Sequence, residues 1–339
     1  MTFCVFRTDR IGDVLLTLPL AAALKRHDAS SRVLFCARAY TADLLRLSSD
    51  VDEVIVVSDT DVSLYAPGFV TELRDRRIDV TFFAYPRPGL ALAALRAGIP
   101  VRVGTAYRWF SPMFTHRRRE HRRTGMAHES EYNLALLNPL GFEYTKPPPP
   151  RLRITDALSS TARELLAASG IREDERFVVL HPGSGGSAKD WPPEYFGELA
   201  AHLLRDVYGL RVLVTGTEAE DGLKRSVLSI AGARAAALPA DVSLPLLAAV
   251  FERAALVVAN STGPLHLASA VGRPVIGLYP FLHQCHPRRW GPLGEADIFT
   301  PAQQSDCEDC ARENCDRHDD MRRISVGDVR DAAMKRLVP

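Results

Sequence analysis

The chain opens on a sharp change of pattern, FCVFRTDRIGDVLLTLPLAAALKR over residues 3–26. The apolar run at 3–6 predicts a buried strand. Arg7, Thr8, Asp9 and Arg10 predict a tight polar loop. Gly12 and Asp13 then lead into an amphipathic helix over 13–27, with Val14, Leu15, Leu18, Ala22 and Leu24 as its apolar positions. The same alternation continues. Strand-like runs fall at 32–36, 53–57, 79–83 and 101–103, and helical patterns at 40–48, 68–76 and 89–97. Strands spaced by helical runs predict βαβ units and a parallel sheet. In such a sheet, ligands sit beyond the carboxyl ends of the strands, so the loop at 7–13 begins the chain with a candidate catalytic position.

The pattern stops at YTKPPPPRLR, residues 144–153. Four consecutive prolines continue neither a helix nor a central strand and form a stiff extended spacer. This predicts two domains, 1–146 and 147–339. The alternation then restarts, with strands at 177–180, 211–215, 256–259 and 274–279. A helix opens at Pro192 or Pro193 with Phe196, Leu199, Ala200 and Leu203 on its core face, and a short helix spans 264–271. The expected fold class is α/β, two Rossmann-like doubly wound domains with a cleft between them.

Length agrees with two domains, since 339 residues is long for one core. A net charge of +1 excludes polyanion binding by bulk electrostatics, so any such preference rests on a local patch. The apolar stretch near the N-terminus contains Pro19 and falls short of the ~20 residues of a membrane span. Asp9 and Asp13 argue against a signal peptide. The expected location is cytoplasmic, where the cysteines at 4, 36, 285, 307, 310 and 315 are not read as a disulfide framework.

Several segments carry candidate chemistry. HPGSGGSAKDWP at 181–192 follows a strand and precedes a helix. Its glycines and serines, Ser184, Gly185 and Ser187 among them, let backbone amides approach an anion. A helix start adds partial positive charge, and Lys189 adds a full one. Ala188 rules out both a Walker A loop and G-x-G-x-x-G. In NSTGPLHLASAVGRPVIGLYP, 260–280, Ser261 or Thr262 is expected to cap a helix whose first amides, from Gly263 on, face a second phosphate oxygen. His266 lies one turn further in, as a packed histidine or a ligand contact. TGTEAE, 215–220, offers Thr217 with Glu218 or Glu220 for ribose hydroxyls, or else a solvated helix start. Asp13 is the candidate general base, with Asp9 its rival; the bland alternative is an acid that only complements a helix dipole. HRRREHRRTGMAH, 116–128, is either a solvated loop or an arginine surface for phosphates and anionic headgroups. Its lack of interleaved aromatics argues against nucleic acid. Cys307, Cys310, Cys315 and His318 have the donor types for zinc, but their compact spacing disfavours it.

Taken together, these motifs resemble glycosyltransferase family 9, the heptosyltransferases of the lipopolysaccharide inner core, over nearly the whole chain. RTDRIGDVLLTLP is similar to the family's N-terminal signature, and HESEYNLALLNPLGF (128–142) to its segment closing the first domain. Lys189-x-Trp191-Pro192 and Thr262-Gly263-Pro264-x-His266 are similar to its donor-site signatures. The resemblance implies a GT-B fold and inverting transfer of a heptose from ADP-heptose, with the donor on the second domain and the acceptor on the first. It implies Asp13 as the base. The donor would be held by Ser184, Gly185, Ser187, Lys189, Thr217, Glu218, Glu220, Ser261, Thr262, Gly263 and His266. Arg10, Arg117, Arg118 and Arg122 would face a lipid-linked or sugar acceptor, and peripheral contact with an anionic inner-membrane surface would follow from the same arginines. No cofactor is required, although the diphosphate is compatible with magnesium. The sequence departs from the family in two places. Ser261 stands where many members have aspartate, and a fourth cysteine is missing near 320–321. Another nucleotide-sugar donor, a small-molecule acceptor, a nicotinamide oxidoreductase and a non-catalytic nucleotide-sugar binder are the competing readings.

Overall fold

The computed structural model describes residues 1–57, 67–144, 146–301 and 321–338. It forms two compact units, Met1–Arg153 and Ile154–Pro339. The proline run thus stays with the first unit, where the Arg153 amide donates to the Leu47 carbonyl at 2.8 Å.

The first unit holds a six-stranded parallel sheet of β1 (Thr2–Phe6), β2 (Arg32–Arg38), β3 (Glu53–Val57), β4 (Val80–Phe83), β5 (Val101–Thr105) and β6 (His116–Arg118). Its order is β3-β2-β1-β4-β5-β6. The second unit holds β7 (Arg176–His181), β8 (Leu210–Val214), β9 (Ala235–Ala237), β10 (Leu256–Asn260), β11 (Val275–Leu278) and β12 (Ala296–Phe299), in the order β12-β11-β10-β7-β8-β9. Counted within each unit, both sheets have the order 3-2-1-4-5-6, the Rossmann arrangement. Each sheet therefore reverses winding at one place, between β1 and β4 in the first unit and between β7 and β10 in the second. The crevice at that reversal is where open α/β sheets bind ligands.

The central strands read as near-continuous apolar runs because helices cover both faces of the sheet. Cys4, Val5 and Phe6 of β1 are fully buried, and Phe6 stacks on Phe83 with ring centroids 4.8 Å apart. In the second unit the helix Pro193–Asp206 turns Phe196, Leu199, Ala200 and Leu203 onto the sheet, all fully buried, as its spacing predicts.

Three expectations are corrected. The helix expected over 13–27 is two helices, Ile11–Leu15 and Leu18–His27. Pro19 tolerates only the first turn of a helix, so the chain must restart just before it. The Asn133 amide fills the break, donating to the Leu16 carbonyl at 3.2 Å and to Thr17 Oγ1 at 3.0 Å. The arginine run at 116–128 is not simply a loop, because its first residues form edge strand β6 against β5. The short strands β9 and β12 also escaped the pattern; their three and four residues are too few to show a period.

Candidate active site

In the first unit the loop after β1 runs straight into the short helix Ile11–Leu15, which carries Asp13 in its first turn. The side chain that organises this loop is Arg7. It is almost fully buried, and each of its nitrogens meets an acceptor. Nε donates to Asp9 Oδ1 at 2.7 Å, Nη2 to Asp13 Oδ1, and Nη1 to Glu129 Oε1 at 2.9 Å. Nη1 also faces the Ala84 carbonyl at 3.3 Å, just past β4, so the cluster sits at the reversal of the sheet. Glu129 is itself buried and takes a second guanidinium, Arg122 Nη1, at 2.8 Å. Arg122 Nη2 donates to the Tyr132 carbonyl at 3.0 Å, and the guanidinium lies 5.6 Å from the Tyr132 ring centroid. Asn133 Oδ1 accepts from Arg122 at 3.0 Å.

Three carboxylates thus gather on Arg7, and one of them, Glu129, also takes Arg122. Burial pushes the Asp9 carboxyl up to about 7; Arg7 opposes this, and Asp13 and Glu129 add to it. Burial pulls the Arg7 guanidinium down, but Asp9, Asp13 and Glu129 outweigh it and hold the cation above the usual arginine range. Asp13 remains half-buried at the mouth of this cluster, with one oxygen held by Arg7. A carboxylate so oriented and reachable from solvent suits proton abstraction.

The structure separates the four arginines expected to face an acceptor. Arg10 and Arg117 are exposed. Arg118 is half-buried and 3.7 Å from Glu120. Arg122 is turned inward onto Glu129, Asn133 and Tyr132, which corrects its reading as an acceptor contact: its charge is neutralised within the unit. Arg7, Glu129 and Asn133 were not singled out in the sequence. Nothing local signals that residue 129 folds back onto residue 7.

In the second unit two loops meet at the β7/β10 reversal. After β7, Gly185 and Gly186 take left-handed φ values of 57° and 73°, which glycine adopts without steric cost. Ser187 Oγ donates to the Ser184 carbonyl at 2.7 Å and to the Ser261 carbonyl, on the loop after β10, at 3.2 Å. Asn260, at the end of β10, locks the other side. Its Oδ1 accepts from the Trp191 amide at 2.9 Å, and its Nδ2 donates to the Pro182 carbonyl at 2.6 Å and to Asp190 at 3.3 Å. Trp191 is fully buried, with Nε1 donating to the Ile324 carbonyl at 2.9 Å. These bonds pin the chain on both sides of Lys189, which is half-buried.

The expected anion-binding features are partly redistributed. The helix after this loop begins at Pro193 with Pro192 as its N-cap. Neither proline has an N–H, so that helix start is a poorer anion site than the sequence reading supposed. Thr262 occupies the N-cap of Gly263–Ala270, but its side chain makes no capping bond. The first amides of that helix are therefore not taken by a side-chain cap, and apart from Pro264, which has no N–H, they keep their capacity for an anion. His266 lies buried in its second turn.

Glu220 is largely committed internally. Its Oε2 accepts from the Thr217 amide at 2.8 Å and the Thr217 hydroxyl at 2.9 Å, and its Oε1 accepts from the Gly185 amide at 3.2 Å. Burial pushes its carboxyl up, but the Thr217 amide, His181 and the remaining donors outweigh this and hold it low. Its role is to fasten the loop after β8 to the glycine loop; Glu218, by contrast, is exposed. A Cβ on Gly183 would lie 1.9 Å from Glu220 Oε1, so this contact demands glycine there. His181, at the end of β7, was also passed over. Its Nδ1 meets Thr215 Oγ1 at 2.9 Å, and burial pulls its pKa down to about 4, leaving it neutral at pH 7. Cys307, Cys310, Cys315 and His318 lie outside the described residues. Among the described residues no helix is long and apolar enough to cross a membrane.

Two Rossmann-like units, each a six-stranded parallel sheet of order 3-2-1-4-5-6, form an α/β architecture of the GT-B class. The sequence profile of glycosyltransferase family 9 (heptosyltransferase) matches residues 73–319, and the chain belongs to that family. It is a glycosyltransferase. A Haemophilus influenzae protein whose name carries only the general word glycosyltransferase is 28% identical over 300 residues, 86% of each chain. Two solved structures share the fold. A family 9 glycosyltransferase from Veillonella parvula has a TM-score of 0.86 at 21% identity, covering 99% of this chain and 97% of that one. The Escherichia coli ADP-heptose lipopolysaccharide heptosyltransferase II has a TM-score of 0.79 at 19% identity, covering 100% and 99%.

Proposed function

We propose that this enzyme transfers a heptose from ADP-heptose to an acceptor of the lipopolysaccharide inner core, with inversion at the anomeric carbon. The observation that carries the reading is the pair of loops fastened together at the β7/β10 reversal, with Lys189 between them and the uncapped helix start at Gly263 beside Ser261. That arrangement suits a diphosphate. The donor named for the E. coli structural neighbour, ADP-heptose, supports a nucleoside diphosphate sugar here, and its lipopolysaccharide acceptor supports the acceptor class.

Asp13 acts as the base in this reading. It takes the proton of the acceptor hydroxyl as the oxygen attacks the anomeric carbon. The bond to the diphosphate oxygen breaks with its electron pair, and ADP leaves carrying the new negative charge. Lys189, the loop amides at 183–187 and the helix start at Gly263 stabilise that charge as it forms. Arg7 keeps one Asp13 oxygen fixed, which leaves the other to the substrate. Thr217 and the exposed Glu218 take the ribose hydroxyls, and Ser261 and His266 line the donor side. Arg10, Arg117 and Arg118 serve the acceptor.

Calorimetric titration with ADP, together with product mass after incubation with ADP-heptose and competing nucleotide sugars, tests this. Asp13→Ala should abolish transfer and leave ADP affinity unchanged. Lys189→Ala should weaken ADP binding by about tenfold or more, the scale of one charge-assisted contact. Equal loss of transfer and ADP binding in Asp13→Ala would make Asp13 structural, and turnover with a different nucleotide sugar alone would replace the donor.

A further inference from the structure

The arginine run at 116–128 carries few aromatics in sequence, but the fold supplies them from elsewhere. Strand β6 pairs with β5, and the Ala106 amide donates to the Arg118 carbonyl at 2.9 Å. The loop that follows β5 is thereby laid against the run. Tyr107 stacks on His121 with ring centroids 4.0 Å apart. Two residues on, Trp109 stands 78% exposed. This loop is built rather than loose. Ser111 Oγ donates to the Thr105 carbonyl at 2.6 Å and accepts from the Arg108 amide at 3.0 Å. Beneath Trp109, its edge partner Phe110 is buried against Phe114, and a Cβ on Gly104 would strike the Phe114 ring at 2.4 Å. The indole is therefore held out into solvent by a packed base. Met126, at the far end of the run, is 70% exposed. Arg108, next to Trp109 in the chain, and Arg119, just past β6, are exposed as well. The acid within the run, Glu120, lies against Arg118 and does not offset them.

We propose that this edge of the first unit docks on an anionic lipid bilayer, with Trp109 seated at the headgroup level and Arg108 and Arg119 on lipid phosphates. Amphipathic indole and thioether side chains ringed by arginine match the interface between headgroups and acyl chains. The charge matches an anionic leaflet, and the planar guanidinium forks match phosphate oxygens. Arg108 and Trp109 lie beyond the carboxyl end of β5 and Arg119 beyond that of β6, the sheet end that also carries Asp13 after β1. Docking there brings the base toward the surface that would display a lipid-linked acceptor. A single nucleic-acid strand uses the same residue types, but it requires stacking platforms interleaved with the basic residues, and the run 116–128 itself contains no Phe, Tyr or Trp.

Sedimentation of the full chain with vesicles tests this directly. One set is phosphatidylcholine with about one third phosphatidylglycerol, the other phosphatidylcholine alone. Binding is expected on the anionic set only and should weaken as salt rises. The chain has three tryptophans, and Trp191 is buried, so the emission lost in Trp109→Phe identifies the signal of Trp109. That signal should shift to the blue on anionic vesicles. Arg108→Ser and Arg119→Ser should each weaken vesicle binding about fivefold, and Trp109→Ala by at least as much. The urea unfolding midpoint of each variant reports that the first unit is intact, and ADP affinity reports on the second unit separately. The proposal is overturned if anionic vesicles do not sediment the protein, if Trp109→Ala and the arginine variants bind them like the parent, or if a single-stranded oligonucleotide binds while vesicles do not. Failure of ADP to bind the parent would remove the donor reading and leave the vesicle result standing.

Discussion

Replacing Arg7 with methionine is the sharpest test of the site in the first unit. Methionine matches the length of the arginine stem, so the perturbation is the loss of charge and donors from a buried position. In the parent, the guanidinium satisfies Asp9 at 2.7 Å and Glu129 at 2.9 Å and also holds Asp13. Its removal leaves three carboxylates around an apolar side chain, with Arg122 still paired to Glu129. Breaking a buried ion pair by deleting one partner costs about 3–5 kcal/mol. Against a total stability of about 5–15 kcal/mol, the loss is large. It corresponds to a fall of roughly 10 °C in the melting transition of a unit this size. The loss should shrink in mild acid, because the Asp9 carboxyl, pushed up to about 7 by burial, then takes up a proton and its uncompensated charge disappears. Urea unfolding of Arg7→Met and the parent at pH 7.5 and pH 5.5 measures both numbers. Transfer should be lost with ADP affinity unchanged, because Asp13 loses its orienting partner while the second unit is untouched. A stability loss below about 1 kcal/mol that is equal at the two pH values would refute the account, since it would mean that the carboxylates never depended on Arg7.

The second unit and the titrating groups give further expectations. Gly183→Ala places a methyl 1.9 Å from Glu220 Oε1, so the glycine loop and the loop after β8 must separate; unfolding should come at lower urea and ADP should bind more weakly, and unchanged values in both assays would show that the loop yields freely. His181 has a folded pKa of about 4 against 6.5 in the unfolded chain, so the unfolded state takes up its proton first as pH falls. Stability from this group is full above pH 6.5 and is lost between there and about 4, by about 3 kcal/mol in all. Asp9 runs the other way: its carboxyl rises from 3.8 to about 7 in the fold, so its contribution is full below 3.8 and is lost as pH climbs through 7. Denaturation across this range with His181→Gln and Asp9→Asn separates the opposing slopes, and a variant that keeps the parent's pH dependence would clear its residue of the effect.

What was legible in the sequence follows from the range over which each feature acts. Strand and helix periodicity is local, and so the five runs from 3–6 to 101–103 and the core face Phe196, Leu199, Ala200 and Leu203 stand in the structure where the pattern puts them. The glycine loop was legible because φ values near 57° and 73° restrict the residue type on the spot. The family signatures were legible for the same reason, since each is a short contiguous string. The tertiary structure alone decided which charges meet. Glu129 reaches Arg7 across 122 positions of chain, and Glu220 reaches the Gly185 amide across 35. No local propensity encodes such pairs; burial selects them, because a charge taken from water must find a partner wherever the fold brings one. That selection turned Arg122 inward, took Glu220 into the scaffold and left Glu218 outside, and carried Trp109 onto the arginine edge. The residue types came from the chain, and their roles came from which of them the packing left facing water.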